Sequence, residues 1–391
     1  MRPLSSVYGE IRKMLLTYPH ALRVPFDVVL QRYKGIFEAL GQDMHYVILA
    51  FPKVHGKLRR TAQRAGLDPD RNLTLVPAQI APFASIRQLV REEPDGSWLA
   101  FVDSPTHSIW AQDAYCVLTD GTQSTLLEPM TFTRGGDHFI AEQIAAHTDV
   151  RIDATRYHLE GGNMLTGDDF TLIGVDYLYE NMTLTGQSAA EVTRGLQRQL
   201  GVEHLIWLGF EDPLRFPMQV FQGVRQPIFH IDMYITLGGK TASGRQRVFV
   251  GDTRLAKRLL DQDPVPDVIS DAFDRVAAFL ANYNASGPRF EVVRLPLDLW
   301  FDEPGAPRGT FLTYNNCLVE VFGDTRRAFV PAYASVAPAS LNRRRLDSAV
   351  VEIFEGQGFD VRLMHGAYEE LCKRGGSMHC ITKALARGPV G

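Results

Sequence analysis

A cysteine near the end of the sequence has a setting that suits a nucleophile. Cys380 lies in the segment Gly375-Gly-Ser-Met-His-Cys-Ile-Thr382. Glycines let the backbone approach a ligand closely, and an ionised thiol is a strong nucleophile. A buried cysteine that acts only as a small apolar side chain is the alternative. The sequence therefore offers Cys380 as a candidate nucleophile, while Cys116, Cys317 and Cys372 are interpreted as inert thiols.

A histidine and an aspartate two positions apart could supply acid–base chemistry. In His230-Ile-Asp232 both side chains would lie on the same side of an extended chain. A buried hydrogen bond between them is the alternative. A third hypothesis is a metal site formed with Asp113 and His379, but the spacing matches no zinc signature. Neither a metal nor a cofactor is predicted.

Two further carboxylates occupy expected strand edges. Asp113 closes Trp110-Ala-Gln-Asp113, and Glu160 opens Glu160-Gly-Gly-Asn163. An acidic residue in such a place is commonly a solvated turn or cap residue. If these segments converge, three acids, one histidine and one cysteine would line one pocket.

Such a pocket suits a guanidinium group. Two carboxylates would hold the planar cation through charge-assisted hydrogen bonds. A thiolate above the central carbon could attack it, and the nearby cation would favour the ionised thiol. Histidine would then protonate the departing nitrogen and activate water against a covalent thiouronium intermediate.

The elements that must position these residues follow a recurring order. An amphipathic helix is predicted over Asp27 to Leu40, and a strand over His45 to Phe51. A helical stretch followed by a short apolar strand then recurs five times, and a polar motif follows each strand. The five pairs are Lys57 to Ala65 with Leu73 to Val76, Phe139 to Ala146 with Val150 to Ile152, Ser188 to Leu200 with His204 to Leu208, Asp271 to Tyr283 with Phe290 to Leu295, and Ser348 to Glu355 with Phe359 to Leu363.

One polar motif per pair favours a structural repeat that stacks or closes radially. Ordinary alternation of helices and strands in an α/β protein is the alternative. The clearest pair begins with a capping box formed by Ser188 and Glu191, and its helix is predicted to end at Gly201.

Together the motifs resemble the guanidino-group-modifying, or pentein, superfamily, and especially its agmatine deiminase and bacterial peptidylarginine deiminase branch. The similarity spans Trp110 to Thr382. The motif that ends in Asp113 is similar to the branch's W-x-R-D, and the motif at Glu160 to its E-G-G. The others are His230-Ile-Asp232 for H-[VIL]-D, Thr313-Tyr-Asn-Asn316 for the Y-x-N strand, and Gly375 to Thr382 for G-G-N-I-H-C-I-T.

The resemblance implies an α/β fold, a five-bladed propeller of ββαβ units around a central substrate channel. It further implies Cys380 as nucleophile, His230 as general acid and base, Asp113 and Asp232 as guanidinium ligands, and Glu160 as the residue that orients the histidine or the substrate. Residues expected at the substrate are Trp110, Gln112, Asn163, Asn316 and Gly376. A single catalytic domain over residues 1–391 is expected, with a leading segment 1–52 and five units over 53–391.

Two departures from the family pattern concern the mouth of the expected site. Gln112 replaces the arginine of W-x-R-D, and Ala114-Tyr-Cys116 replaces the usual x-G-P. Asp113 is retained, so guanidinium recognition is expected to survive. The choice among arginine, agmatine, an arginine side chain or another derivative stays open.

Composition narrows the possible partners. The 391 residues carry 41 basic and 45 acidic side chains, a net charge of −4, so no broad positive field attracts nucleic acid or an anionic membrane. No apolar run approaches the 18 residues of a spanning helix. The absence of a signal-peptide pattern and of paired cysteines favours a cytoplasmic protein with reduced thiols. The expected partner is a small guanidino compound or an arginine side chain, and the oligomeric state is open.

Three functions therefore compete. The first is a deiminase, a hydrolase that converts a guanidino group to a ureido group and ammonia. In the second, an amidinotransferase, an amine intercepts the same intermediate in place of water. The third is a non-catalytic pentein that acts as a binding module, which would have no need for the full set of chemical residues.

Overall fold

The amphipathic helices predicted from the sequence are present in the computed structural model, with shifted ends. The structure describes residues 1–19, 26–79, 91–92, 98–99, 107–211, 220–221, 224–264, 267–284, 287–300, 309–334, 341–366 and 368–389. The α-helices in these ranges are α1 Phe26–Leu40, α2 Pro52–Arg64, α3 Pro69–Asn72, α4 Ile140–Ala145, α5 Asp176–Thr185, α6 Ala189–Leu200, α7 Thr253–Leu260, α8 Asp267–Ala281, α9 Leu341–Glu355 and α10 Glu369–Cys372.

Strands of two to eleven residues alternate with these helices. They are β1 Arg2–Pro3, β2 Ile11–Tyr18, β3 His45–Ala50, β4 Leu73–Pro77, β5 Arg91–Glu92, β6 Trp98–Leu99, β7 Cys116–Thr119, β8 Ser124–Glu128, β9 Arg151–Ala154, β10 Met164–Thr166, β11 Phe170–Gly174, β12 His204–Leu208, β13 Phe210–Glu211, β14 Val220–Phe221, β15 Val224–Arg225, β16 Ile235–Lys240, β17 Gln246–Asp252, β18 Phe290–Trp300, β19 Thr310–Thr313, β20 Leu318–Phe322, β21 Thr325–Pro331, β22 Asp360–Met364 and β23 Lys383–Arg387.

Helix α6 shows why these segments are helical. Val192, Leu196 and Leu200 recur every four residues and are fully buried, so one stripe of the helix faces the protein interior. Ser188 and Glu191 form the predicted capping box, and Gly201 ends the helix with a φ of 63°. The sequence-based prediction of this helix is confirmed.

The chain divides into two compact units. The first, here called the first unit, comprises 1–4, 11–161 and 381–387; the second unit comprises 5–10, 162–380 and 388–391. The first unit contains a sheet of order β1-β7-β8-β9 and another of order β23-β2-β3-β4.

The second unit is also built from small mixed sheets. Its larger sheets have the orders β10-β11-β12, β16-β17-β18-β19 and β20-β21-β22. In each, an antiparallel pair is followed by a parallel strand: β12 pairs with β11, β18 with β17, and β22 with β21. A parallel neighbour needs a crossover, and helices α6, α8 and α9 supply it. The chain therefore has a mixed α/β fold with several small sheets.

The core of the first unit lies between helix α4 and strands of both sheets of the unit. Ile140 and Ile144 of α4 are fully buried together with Leu49 of β3 and Leu126 of β8. Burial of each such side chain contributes about 1.5–3 kcal/mol. This packing holds the loops at the strand ends, where the polar motifs lie.

Two differences from the sequence-based predictions have local causes. Strand β4 pairs with β3, so the strand of the first predicted pair joins the sheet of the leading segment. Helices α5 and α7 were not predicted, because α5 lacks a clear apolar stripe and α7 is only eight residues long. Among the described residues, no helix has the length and apolar character required to span a bilayer.

Candidate active site

A glycine turn and a buried serine fix the backbone of the loop that carries Cys380. Gly375 adopts a φ of 85°, a conformation that side chains other than glycine rarely accept. Ser377 is fully buried, and its hydroxyl lies 3.1 Å from the hydroxyl of Tyr333. The chain then enters a 3₁₀ turn over His379–Ile381 and continues into β23. The thiol is therefore presented from a fixed backbone, with Cys380 only 2% exposed.

Asn316 holds both the backbone and the sulfur of Cys380. Its Oδ1 accepts a hydrogen bond from the Cys380 backbone N–H at 3.2 Å, and its Nδ2 lies 3.1 Å from Sγ. The Asn316 carbonyl also accepts from the N–H of His379 at 3.3 Å. An amide donor aimed at sulfur stabilises the ionised thiol. Asn316 therefore holds the Cys380 backbone and places an amide donor beside the Cys380 sulfur.

Asp232 lies beside the same sulfur. Its Oδ2 is 3.7 Å from Cys380 Sγ and 2.8 Å from Nδ1 of His379. Its Oδ1 is buried and makes no hydrogen bond with the described residues. A buried acceptor that lacks a donor is costly, so a cationic donor at this position would be bound favourably.

His230 is held by a different set of contacts. The segment Ile231–Met233 is a 3₁₀ turn and not the extended strand that was expected. His230 Nε2 lies 3.4 Å from the hydroxyl of Tyr177, whereas Asp232 contacts His379 and Cys380. The two residues of the motif therefore have different partners and do not form the hydrogen bond to each other that was the alternative.

Asn163 fixes the backbone next to His230. Its Oδ1 accepts from the N–H of Ile231 at 3.1 Å and from Gln226 at 2.9 Å, while its Nδ2 donates to Asp176 at 2.7 Å. Burial raises the pKa of Asp176 to about 6, although Asn163 and His230 oppose the shift. Asp176 is therefore an acid near the histidine that the motifs did not reveal.

The first unit brings Asp113 and Glu160 onto two connected turns. The N–H of Gly161 donates to the Asp113 carbonyl at 3.1 Å, and the Gln112 side chain donates to the Gly161 carbonyl at 3.1 Å. A Cβ atom at Gly161 would lie 2.2 Å from both the Gln112 carbonyl and the Lys383 ammonium. Only glycine permits this approach, which explains the glycine after Glu160.

Asp113 and Glu160 are both buried, and a guanidinium of the chain itself offsets part of the negative charge around them. Arg134 Nη2 lies 2.7 Å from Asp113 Oδ2, and Arg134 Nε lies 3.0 Å from Asp137 Oδ2. Glu160 also interacts electrostatically with Arg134. No sequence pattern indicated Arg134, because 21 residues separate it from Asp113.

The remaining cysteines have environments that favour the neutral thiol. Burial raises the pKa of Cys116 to about 11 and that of Cys317 to about 12. It also raises the pKa of Cys372. These thiols are poor nucleophiles near neutral pH, in agreement with their interpretation as inert.

The candidate site residues fall into two groups. Trp110, Gln112, Asp113 and Glu160 belong to the first unit; Asn163, His230, Asp232, Asn316, Gly376 and Cys380 belong to the second. Gly376 is buried, and its N–H donates to Leu371. The half-buried Trp110 accepts from the N–H of Asp113 at 3.1 Å. The convergence of the two groups on one substrate stays a prediction.

The contacts of the potential metal ligands are those of a hydrogen-bonded network. His379 and Asp232 contact each other, and Asp113 is paired with Arg134. Sequence reasoning considered His379 only as a possible metal ligand, and it did not name Asp176 or Arg134. Only His379 left a signal, since it adjoins Cys380 in the recognised motif.

Comparison with solved structures gives matches along nearly the whole chain. A protein assigned as a peptidyl-arginine deiminase has a TM-score of 0.66 at 14% identity, with 99% of each chain covered. A Porphyromonas gingivalis protein assigned as an arginine deiminase has a TM-score of 0.65 at 17% identity, covering 99% of this chain and 98% of that one. The agmatine deiminase of Enterococcus faecalis has a TM-score of 0.61 at 17% identity, covering 99% and 96%.

No protein-family model and no curated protein matches the sequence. At these identities the structural likeness concerns the fold. The resemblance drawn from the five motifs is confirmed at that level: the chain shares its fold with these three solved structures.

Proposed function

We propose that the protein is a cysteine-dependent hydrolase that converts the guanidino group of a small arginine-like molecule to a ureido group. The observation that carries the proposal is the setting of Cys380. Its sulfur lies 3.1 Å from an amide donor of Asn316 and 3.7 Å from the Asp232 carboxylate. A structural cysteine needs neither partner.

The carboxylate beside the sulfur supports a cationic substrate. A negative charge at 3.7 Å disfavours ionisation of a thiol. A guanidinium bound to Asp232 would compensate that charge and favour the thiolate, so the nucleophile would be activated when substrate is present. Asp113 would bind further guanidinium nitrogens, as the resemblance implies.

The proposed reaction has two steps. The Cys380 thiolate adds to the guanidinium carbon, and His230 gives a proton to one terminal nitrogen, which leaves as ammonia. Water, deprotonated by His230, then attacks the thiouronium carbon, and the carbon–sulfur bond breaks to release the ureido product. Glu160 would orient His230 or the substrate.

The arrangement of elements also belongs to the proposal. Five of the sheets in the described part share one construction, an antiparallel pair followed by a parallel strand. We propose that these are five units of a single domain around one substrate channel. The cytoplasmic location stays a prediction.

Direct assay of products tests the proposal. Purified protein is incubated separately with arginine, agmatine and a short arginine-containing peptide. The amounts of ureido product and of ammonia are then measured. Cys380→Ser is the control, with far-ultraviolet circular dichroism to verify its fold. Ureido product with stoichiometric ammonia, lost in the variant, is the expected result.

Other outcomes separate the alternatives. Ornithine release from arginine that depends on an added amine, without ammonia, would indicate amidino transfer. Binding of a guanidino compound without turnover would indicate a binding module. Full activity of Cys380→Ser would overturn the mechanism.

A further inference from the structure

Arg134 is a guanidinium of the chain held within the acidic cluster of the first unit. It is 2.7 Å from Asp113 and 3.0 Å from Asp137. Burial opposes its charge, but Asp113, Asp137 and Glu160 together raise the pKa of Arg134 above its ordinary value. The side chain therefore stays cationic and binds two carboxylates through different nitrogens.

The Asp137 side of this contact is rigid. Asp137 Oδ1 accepts from the Ser108 N–H at 2.6 Å, and Oδ2 accepts from the Ser108 hydroxyl at 2.8 Å. The Tyr115 hydroxyl donates to the Asp137 carbonyl at 2.9 Å and accepts from the N–H of Ala141, in helix α4, at 3.2 Å. Arg134 is thus fixed at Nε, and its planar fork sets where Nη2 meets Asp113.

The motif that ends in Asp113 lacks a charged residue at the position before the aspartate. Gln112 stands where the similar W-x-R-D pattern has arginine, and its amide donates to the Gly161 carbonyl. A cation for Asp113 comes instead from Arg134, across 21 residues of sequence. Arg134 therefore joins Asp113 and Asp137 in one hydrogen-bonded cluster.

We infer that Arg134 is a positioning residue for substrate recognition, which orients the Asp113 carboxylate toward a guanidino substrate. The inference rests on the proposed function, which assigns guanidinium binding to Asp113. A carboxylate that is fixed in advance binds a planar cation at lower entropic cost than a mobile one. Loss of the fork therefore weakens substrate binding more than it slows the chemical steps.

The test compares charge and geometry at this position. Arg134→Lys keeps the positive charge and loses the fork; Arg134→Ala loses both. Arg247→Lys is the matched control, because Arg247 is also largely buried and contacts one carboxylate, Glu291, through Nε at 3.2 Å and Nη2 at 3.0 Å. Steady-state kinetics are measured with the best substrate of the product assay.

For Arg134→Lys we expect KM to rise about tenfold while kcat stays within about threefold, and Arg247→Lys to match the unsubstituted protein. In the Cys380→Ser background, Arg134→Lys weakens substrate binding by a similar factor in calorimetry.

A double variant keeps the inference falsifiable if Arg134→Ala does not fold. Gln112→Arg combined with Arg134→Ala returns a cation to the motif, and we expect it to fold and to recover at least part of the lost affinity. A KM unchanged in Arg134→Lys would overturn the inference while leaving the proposed function intact. If the unsubstituted protein neither binds nor converts any guanidino compound, both are overturned.

Discussion

At the residue scale, Cys380 could be picked out from the sequence as a candidate nucleophile, but the residues that contact it could not. Cys380 stood out because glycines and a histidine precede it in one motif. The contacts of Asn316 with its sulfur and backbone join residues 64 positions apart. Arg134 and Asp176 follow no periodicity or motif, so only the folded chain reveals them.

The amide of Asn316 should matter for reactivity. In Asn316→Ala we expect kcat to fall about ten- to hundredfold, because the thiol loses its amide donor and the Cys380 N–H loses its acceptor. Asn72→Ala is a matched control: Asn72 is also buried and bridges two backbone carbonyls. Its loss should lower stability and leave kcat of the folded protein unchanged. A kcat within twofold for Asn316→Ala would exclude a role for this contact.

At the element scale, the longer helices with an apolar stripe were predicted with shifted ends, whereas α5 and α7 were missed. The clearest case is α6, whose capping box and terminal glycine both mark its ends. Helix α5 instead carries polar side chains to the site. Asp176 in its first turn binds Asn163, and Tyr177 contacts His230. Selection for these contacts explains its weak apolar pattern.

Asp176 should make stability depend on pH. Its pKa is raised from 3.8 to about 6 by burial, so the folded chain binds more protons than the unfolded chain between these values. The free energy of unfolding therefore falls as pH rises through this window. The contribution of this group falls by about 2 kcal/mol between pH 4.5 and 7. Asp176→Asn lacks this titrating carboxyl group. Between pH 4.5 and 7, the difference in free energy of unfolding between the variant and the unsubstituted protein therefore changes by about 2 kcal/mol.

Urea denaturation at the two pH values checks this prediction. The free energy of unfolding of the variant, relative to that of the unsubstituted protein, should be higher at pH 7 than at pH 4.5. Parallel pH dependences for the two proteins would show that Asp176 does not titrate in this range.

The turn after Glu160 should accept only glycine at its first position. Gly161→Ala places a Cβ atom 2.2 Å from the Gln112 carbonyl, so we expect destabilisation of about 1–3 kcal/mol or more. Gly56→Ala is the control within helix α2, where the nearest atom lies 3.5 Å away. It should stabilise the protein by up to about 1 kcal/mol. Thermal unfolding measures both, and equal effects would argue against a close approach at Gly161.

At the scale of the whole molecule, the sequence predicted the order of helices and strands but not their pairing. The alternation of helices and strands was visible because each of the five predicted pairs joins a helical stretch to a short apolar strand that a polar motif follows. The pairing of β23 with β2 joins the two ends of the chain, and no local pattern encodes such a contact. The same holds for β4, which extends the sheet of β3. Fold class could thus be predicted, whereas sheet membership required the structure.

The central claim is that Cys380 is the nucleophile of the proposed reaction. The most direct test is the mass of the intact protein after rapid acid quenching during turnover of a guanidino substrate. We expect an adduct equal to the substrate minus ammonia, located on Cys380 by peptide mapping and absent from Cys380→Ser. Turnover without this adduct, or an adduct on another cysteine, would contradict Cys380 as the nucleophile.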